Sequence, residues 1–172
     1  MNPARSPHPA AMDDEELLRQ CSLGRGRSSG PGGQHRNKVE TKITLQHTPT
    51  GISAQAGERR SQGENKRVAV FRLRTALAVG RRCPVPMGDA NSDLWRSRVR
   101  SGRIAVNQTH RDFPAMLAEA MDMLADCRHD HKQAANRLQC TPSQLVKLFK
   151  KHPPAMERVN RDRAELGLAP LR

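Results

Sequence analysis

Aromatic side chains are nearly missing from this chain: its 172 residues include three phenylalanines, one tryptophan and no tyrosine. Phe71, Phe113, Phe149 and Trp95 must therefore sit in a core that is otherwise aliphatic and built of small residues, since aromatic rings normally supply the largest blocks of buried area. A core of that kind holds one moderate domain, or a small domain with an appendage, with modest stability. No apolar run approaches the ~20 residues that cross a bilayer, and no signal-type hydrophobic segment comes after Met1. A soluble cytoplasmic protein with no membrane partner is expected.

Residues 1–11 hold Pro3, Pro7 and Pro9 with almost no aliphatic bulk, and are expected to be a disordered tail. Asp13 to Glu16 followed by Leu17 and Leu18 suits a short helix over 12–20, its acidic start matching the helix dipole. Five glycines and Pro31 between Gly24 and Gly33 predict a loop. Val39 to Gln46 alternates apolar and polar residues, the period of a half-buried strand. Thr48 to Gly51 marks a turn, and Ile52 to Ala56 returns as a second strand. From Asn65 to Ala78, apolar residues recur at helical spacing among Lys66, Arg67, Arg72 and Arg74.

Beyond Gly80 the character changes. Pro84, Pro86 and Gly88 read as a linker over 81–110, with a turn or two of helix around Trp95 as a packing anchor. Residues 111–172 read as a helical module. Asp112 with Pro114 opens one helix, Asp130 with Gln133 and Thr141 with Gln144 are capping boxes for two more, and the last runs from Ala155 to Leu166 with Gly167 as its stop. The expected fold class is α+β: a small mixed or antiparallel sheet with helices over 12–80, then a separate helical module.

Lys and Arg outnumber Asp and Glu 30 to 17, a formal charge of +13. Between Arg25 and Arg82 there are thirteen basic residues against three Glu, so the strongest phosphate-seeking surface belongs to the first half of the chain. Cys21, Cys83, Cys127 and Cys140 form no C-x-x-C pair and suggest free thiols. Cys127, His129, His131 and Cys140 carry zinc-type donors, but their spacing fits no finger and an intervening helix separates the two ends, so no metal is expected.

The chemistry concentrates in Arg27-Ser28-Ser29-Gly30-Pro31-Gly32-Gly33-Gln34-His35-Arg36-Asn37-Lys38. Gly30 to Gly33 lacks the closing Gly-Lys-Ser/Thr of a nucleotide-binding loop. A plain linker or phosphate nest would account for the glycines but not for the downstream residues: His47, Pro49, Thr50, Gly51 and Ile52, then Arg60-Ser61-Gln62 with Asn65-Lys66. These three motifs, in this order from about Asp14 to Leu77, resemble the catalytic region of class I peptide release factors and their codon-independent relatives that rescue stalled ribosomes.

The resemblance implies ribosome-dependent hydrolysis of peptidyl-tRNA with Gly32, Gly33 and Gln34 as catalytic residues. Two glycines let the backbone approach the tRNA 3′ end, where a Cβ would intrude. The Gln34 N–H would stabilise charge developing on the reacting oxygen, and its side chain would shape a pocket that admits water. Arg27, Arg36, Asn37, Lys38, Arg60, Asn65, Lys66 and Arg67 are the expected RNA contacts. The partners implied are large-subunit ribosomal RNA and peptidyl-tRNA, without a cofactor. His35 and His47 are expected to be surface or packing residues, since this chemistry asks for no protein base.

The chain has no room for the stop-codon-reading domains of full release factors, which favours codon-independent rescue. Ala134, Ala135, Leu138, Thr141, Ser143, Leu145 and Leu148 resemble a helix-turn-helix of the nucleoid-protein Fis type, with Gln144 and Lys147 as its exposed readers and Gln139-Cys140 where glycine is frequent. The alternative function is thus a nucleic-acid-binding regulator acting through that motif.

Overall fold

A computed structural model of the chain describes residues 7–26, 41–88 and 90–172. Helix α1 (Asp14–Arg19) starts at Asp13, whose carboxylate accepts the Glu16 N–H at 2.8 Å. Strands β1 (Cys21–Gly26), β2 (Lys42–His47) and β3 (Ser53–Ala56) form an antiparallel sheet in the order β1-β2-β3. β2 places Ile43, Leu45 and His47 on the buried face and Lys42, Thr44 and Gln46 on the other, as its period-two pattern requires. The turn into β3 closes where Gly51 takes φ +72° and gives its N–H to His47 O at 2.8 Å.

Helix α2 (Gln62–Gly80) covers the sheet and is capped by Ser61. Its buried positions, among them Ala69, Val70, Leu73, Leu77 and Ala78, are spread around more than one face because it also packs against α4 (Phe113–Asp126). Between them lie α3 (Asp93–Arg98) and a hairpin of β4 (Val99–Arg100) and β5 (Arg103–Ile104). Then come α5 (His131–Arg137), α6 (Pro142–Lys150) and α7 (Pro153–Glu165), with Gly167 at φ +69° after α7. This is an α+β arrangement followed by helices. The buried apolar residues of the sheet region and of the helices form one continuous cluster.

Two expectations are corrected. The disordered tail does not hold for residues 8–11: Pro9–Ala11 is a 3-10 turn packed on α2 and α4, with Ala10 fully buried and His8 nearly so. The His8 ring replaces the missing bulk, accepting the Ala10 N–H at 3.0 Å and meeting Arg81 O at 3.2 Å. The loop expected from Gly24 gives way to strand as far as Gly26, because pairing with β2 supplies the hydrogen bonds that glycine's weak strand preference cannot favour alone.

Candidate functional site

Gly32, Gly33 and Gln34, together with Arg27, Arg36, Asn37 and Lys38, lie outside the described residues, as does His35. Their flanks are described. β1 ends at Gly26 directly opposite Lys42 at the start of β2, so the chain leaves and re-enters the sheet at one point. Beside that point stands the first turn of α2.

Asn65 joins the two. It is fully buried, its Nδ2 donating to Thr41 O at 2.7 Å and to Arg59 O at 2.9 Å, while its Oδ1 accepts the Arg59 N–H at 2.9 Å. This corrects the expectation that Asn65 contacts RNA: a carboxamide committed to three backbone partners inside the protein has no face to present. Its position lets it hold the entry to β2 and the Arg59-Arg60 bend in fixed relation.

Arg60, Lys66 and Arg67 are exposed around this bend, as are Arg25 and Arg59. Of the acids near them, Glu64 is exposed in the first turn of α2, and Glu58 is tied elsewhere. Glu58 accepts from Gly57 N–H at 2.9 Å and pairs with Arg72 at 2.5 Å. The Gly57 amide and its own, then Arg72, hold its carboxyl below the usual range. Arg72 also donates to Gln55 O at 2.8 Å, locking β3 to α2. Sequence reasoning passed over Arg25, Arg59 and the Glu58–Arg72 pair; the run Glu58-Arg59-Arg60 signalled charge but not which cation the acid would engage.

His47 is a packing residue. It is 1% exposed, with Nδ1 2.8 Å from Thr50 Oγ1 and Nε2 3.1 Å from Gln20 Oε1. Burial, and then Arg81, push its pKa below the ordinary value. A neutral ring with both nitrogens engaged is not placed to move a substrate proton.

Elsewhere, Trp95 is buried and donates its indole N–H to Leu138 O at 2.8 Å, the packing anchor expected of it. The 127–140 donors do not assemble into a metal-type group. Among the described residues, the donor atoms that do come together are those of His8, Cys83 and Asp122, within 4.8 Å of one another. Asp122 accepts the Cys83 N–H at 3.0 Å and faces Arg82 at 3.3 Å, so the trio works as a polar staple joining the N-terminal turn, the end of α2 and α4. Gln144, expected as an exposed reader, is half-buried and accepts the Ile104 N–H at 3.3 Å, whereas Lys147 is exposed.

Comparison with known proteins places the family-model match on the sheet region and α2. Residues 18–84 match the family model described as the RF-1 domain. The chain is 34% identical over 123 residues to peptide chain release factor 1 of Xylella fastidiosa, an overlap of 62% of this chain and 34% of that protein. It is 35% identical over 130 residues to peptide chain release factor 1 of Chlorobaculum tepidum, covering 66% of this chain and 36% of the relative. The chain therefore spans about a third of the length of the curated relatives it matches.

Proposed function

Residues 18–84 belong to the RF-1 domain family, and on that premise we propose that this chain hydrolyses the ester bond of peptidyl-tRNA on the ribosome, without reading a codon. The observation that carries the reading is that the matched stretch contains the Arg27 to Lys38 motif and both downstream motifs in order. The basic bend held by Asn65 beside the strand ends supports it.

Gly32 and Gly33 let the backbone close on the tRNA 3′ end, and the Gln34 N–H donates to the oxyanion as water adds to the acyl carbon. The acyl–oxygen bond then breaks, the peptide leaves as a carboxylic acid, and the departing proton of water goes to the ribose oxygen. The chain supplies position and a donor, and the ribosome supplies the surrounding site. Arg27, Arg36, Asn37, Lys38, Arg60, Lys66 and Arg67 hold RNA phosphates. The codon-independent form of the reading rests on residues after 84, which form a hairpin and helices, of which α4 and α7 pack on α2.

Ribosomes carrying labelled peptidyl-tRNA on a truncated message test this. Wild-type protein should free the peptide, and Gly33→Ala should lower the rate by about 10²–10³-fold, the order seen on loss of an oxyanion donor, while binding to the particle persists. Wild-type protein that binds and frees nothing overturns the hydrolase reading, and release that demands a stop codon overturns its codon-independent part.

A further inference from the structure

The helical region contains a second basic surface, which the RF-1 match does not cover. Its frame is the turn between α5 and α6. Leu138 and Leu145 are fully buried across that turn, and Gln139 takes φ +54°, the left-handed conformation that glycine often provides in a helix-turn-helix. Asn91 and Trp95 pin the end of α5 and the turn through Arg137 O and Leu138 O.

The β4–β5 hairpin sits on the leading end of α6. Ser101 (φ +48°) and Gly102 (φ +73°) turn it in two residues, both left-handed as so tight a turn demands. Gly102 O accepts the Thr141 N–H at 3.0 Å, and a Cβ on Gly102 would come within 3.2 Å of Thr141 Cγ2. The Gln144 carboxamide, in the position of a base reader, holds Ile104 N–H instead. The hairpin therefore occupies the Gln144 side of the α6 end that a DNA-reading helix would push into a groove, while Thr141, Pro142 and Ser143 there stay exposed.

What remains outward is cationic. Arg100 and Arg103 are direct cross-strand partners, both exposed. Like charges so placed repel, and an anion between them relieves the repulsion. Lys147 lies beside Ile104 on α6, with Lys150 one turn further, and both are exposed. Among the described residues none of these four forms an ion pair. Exposed cations beside a Gln144 already engaged by Ile104 suit a phosphate backbone rather than base edges.

We propose that Arg100, Arg103, Lys147 and Lys150 form a docking surface for the backbone of duplex RNA exposed on the ribosome, an anchor distinct from the RF-1 domain. The identity of the partner rests on the function proposed above, and the recognition is of charge and shape, not sequence.

The full chain is tested for binding to ribosomes without peptidyl-tRNA, across a salt series, and to an RNA duplex and a DNA duplex of the same sequence. R100Q/R103Q should weaken ribosome and RNA binding by about tenfold and flatten the log–log salt dependence by about 1.5, the order for two lost phosphate contacts. R100K/R103K should restore both. K147Q/K150Q, which leaves the hairpin untouched, should act in the same direction. Unchanged affinity and slope in both Gln pairs overturn the surface, as does tight sequence-selective DNA binding with none to RNA. Wild-type protein that binds through these residues yet frees no peptide sinks the hydrolase reading and leaves the surface standing.

Discussion

Asn65 has four hydrogen-bonding positions on its carboxamide and fills three of them with main-chain groups from two separate segments. Asn65→Asp keeps the shape, removes both donors and buries a carboxylate against the Thr41 and Arg59 carbonyls. Urea unfolding should show a loss of about 2–4 kcal/mol, the order for unsatisfied buried polar groups, and peptide release should fall with it. Unaltered stability would mean that the bend is held by something else. Sequence motif alone suggested that Asn65 matters but assigned it to RNA, because its partner Thr41 lies 24 positions away and the closure of the sheet that brings them together is not a local property. Trp95 was readable as a packing anchor, though its acceptor on Leu138 was not.

At the level of elements, legibility tracked the range of the forces. The starts of α5 and α6 were readable because their caps act within three residues: Asp130 accepts from Lys132 and Gln133 N–H, and Thr141 from Gln144 N–H at 3.2 Å. Gly167 likewise marks the stop after α7. β1 and the β4–β5 hairpin escaped, the first because its strand character comes from β2 and the second because two-residue strands carry no period. The capping box at Thr141 is also only half formed, since Gln144 turns to Ile104 and Thr141 N–H to Gly102 O. Gln139 carries a left-handed backbone at a cost of about 1–2 kcal/mol for an L-residue. Gln139→Gly should therefore raise the thermal midpoint, with a net gain of about 0.5–1 kcal/mol after the greater freedom of glycine in the unfolded chain is counted. A lower midpoint would show that the Gln139 side chain stabilises the turn.

At the scale of the whole molecule, four histidines among the described residues share one electrostatic condition. His47, His129, His131 and His152 are each held below the ordinary value of 6.5 by burial first, and His129 and His131 also by nearby arginines such as Arg163. Their folded pKa values lie below their unfolded ones, so the unfolded chain takes up protons first as pH falls. The stability they contribute is present above pH 6.5 and is lost as pH drops through the folded values. Urea midpoints at about pH 7.5 and about pH 5.5, on either side of the unperturbed histidine value, should show the lower one in acid; equal midpoints would remove the argument. The N-terminal turn has a consequence in time. Residues 8–11 leave the exit tunnel before α4 has been synthesised, yet α4 forms part of the wall they rest on. Their seating is thus a late, sealing event in biogenesis, and a segment made well before α4 finds its place only after it.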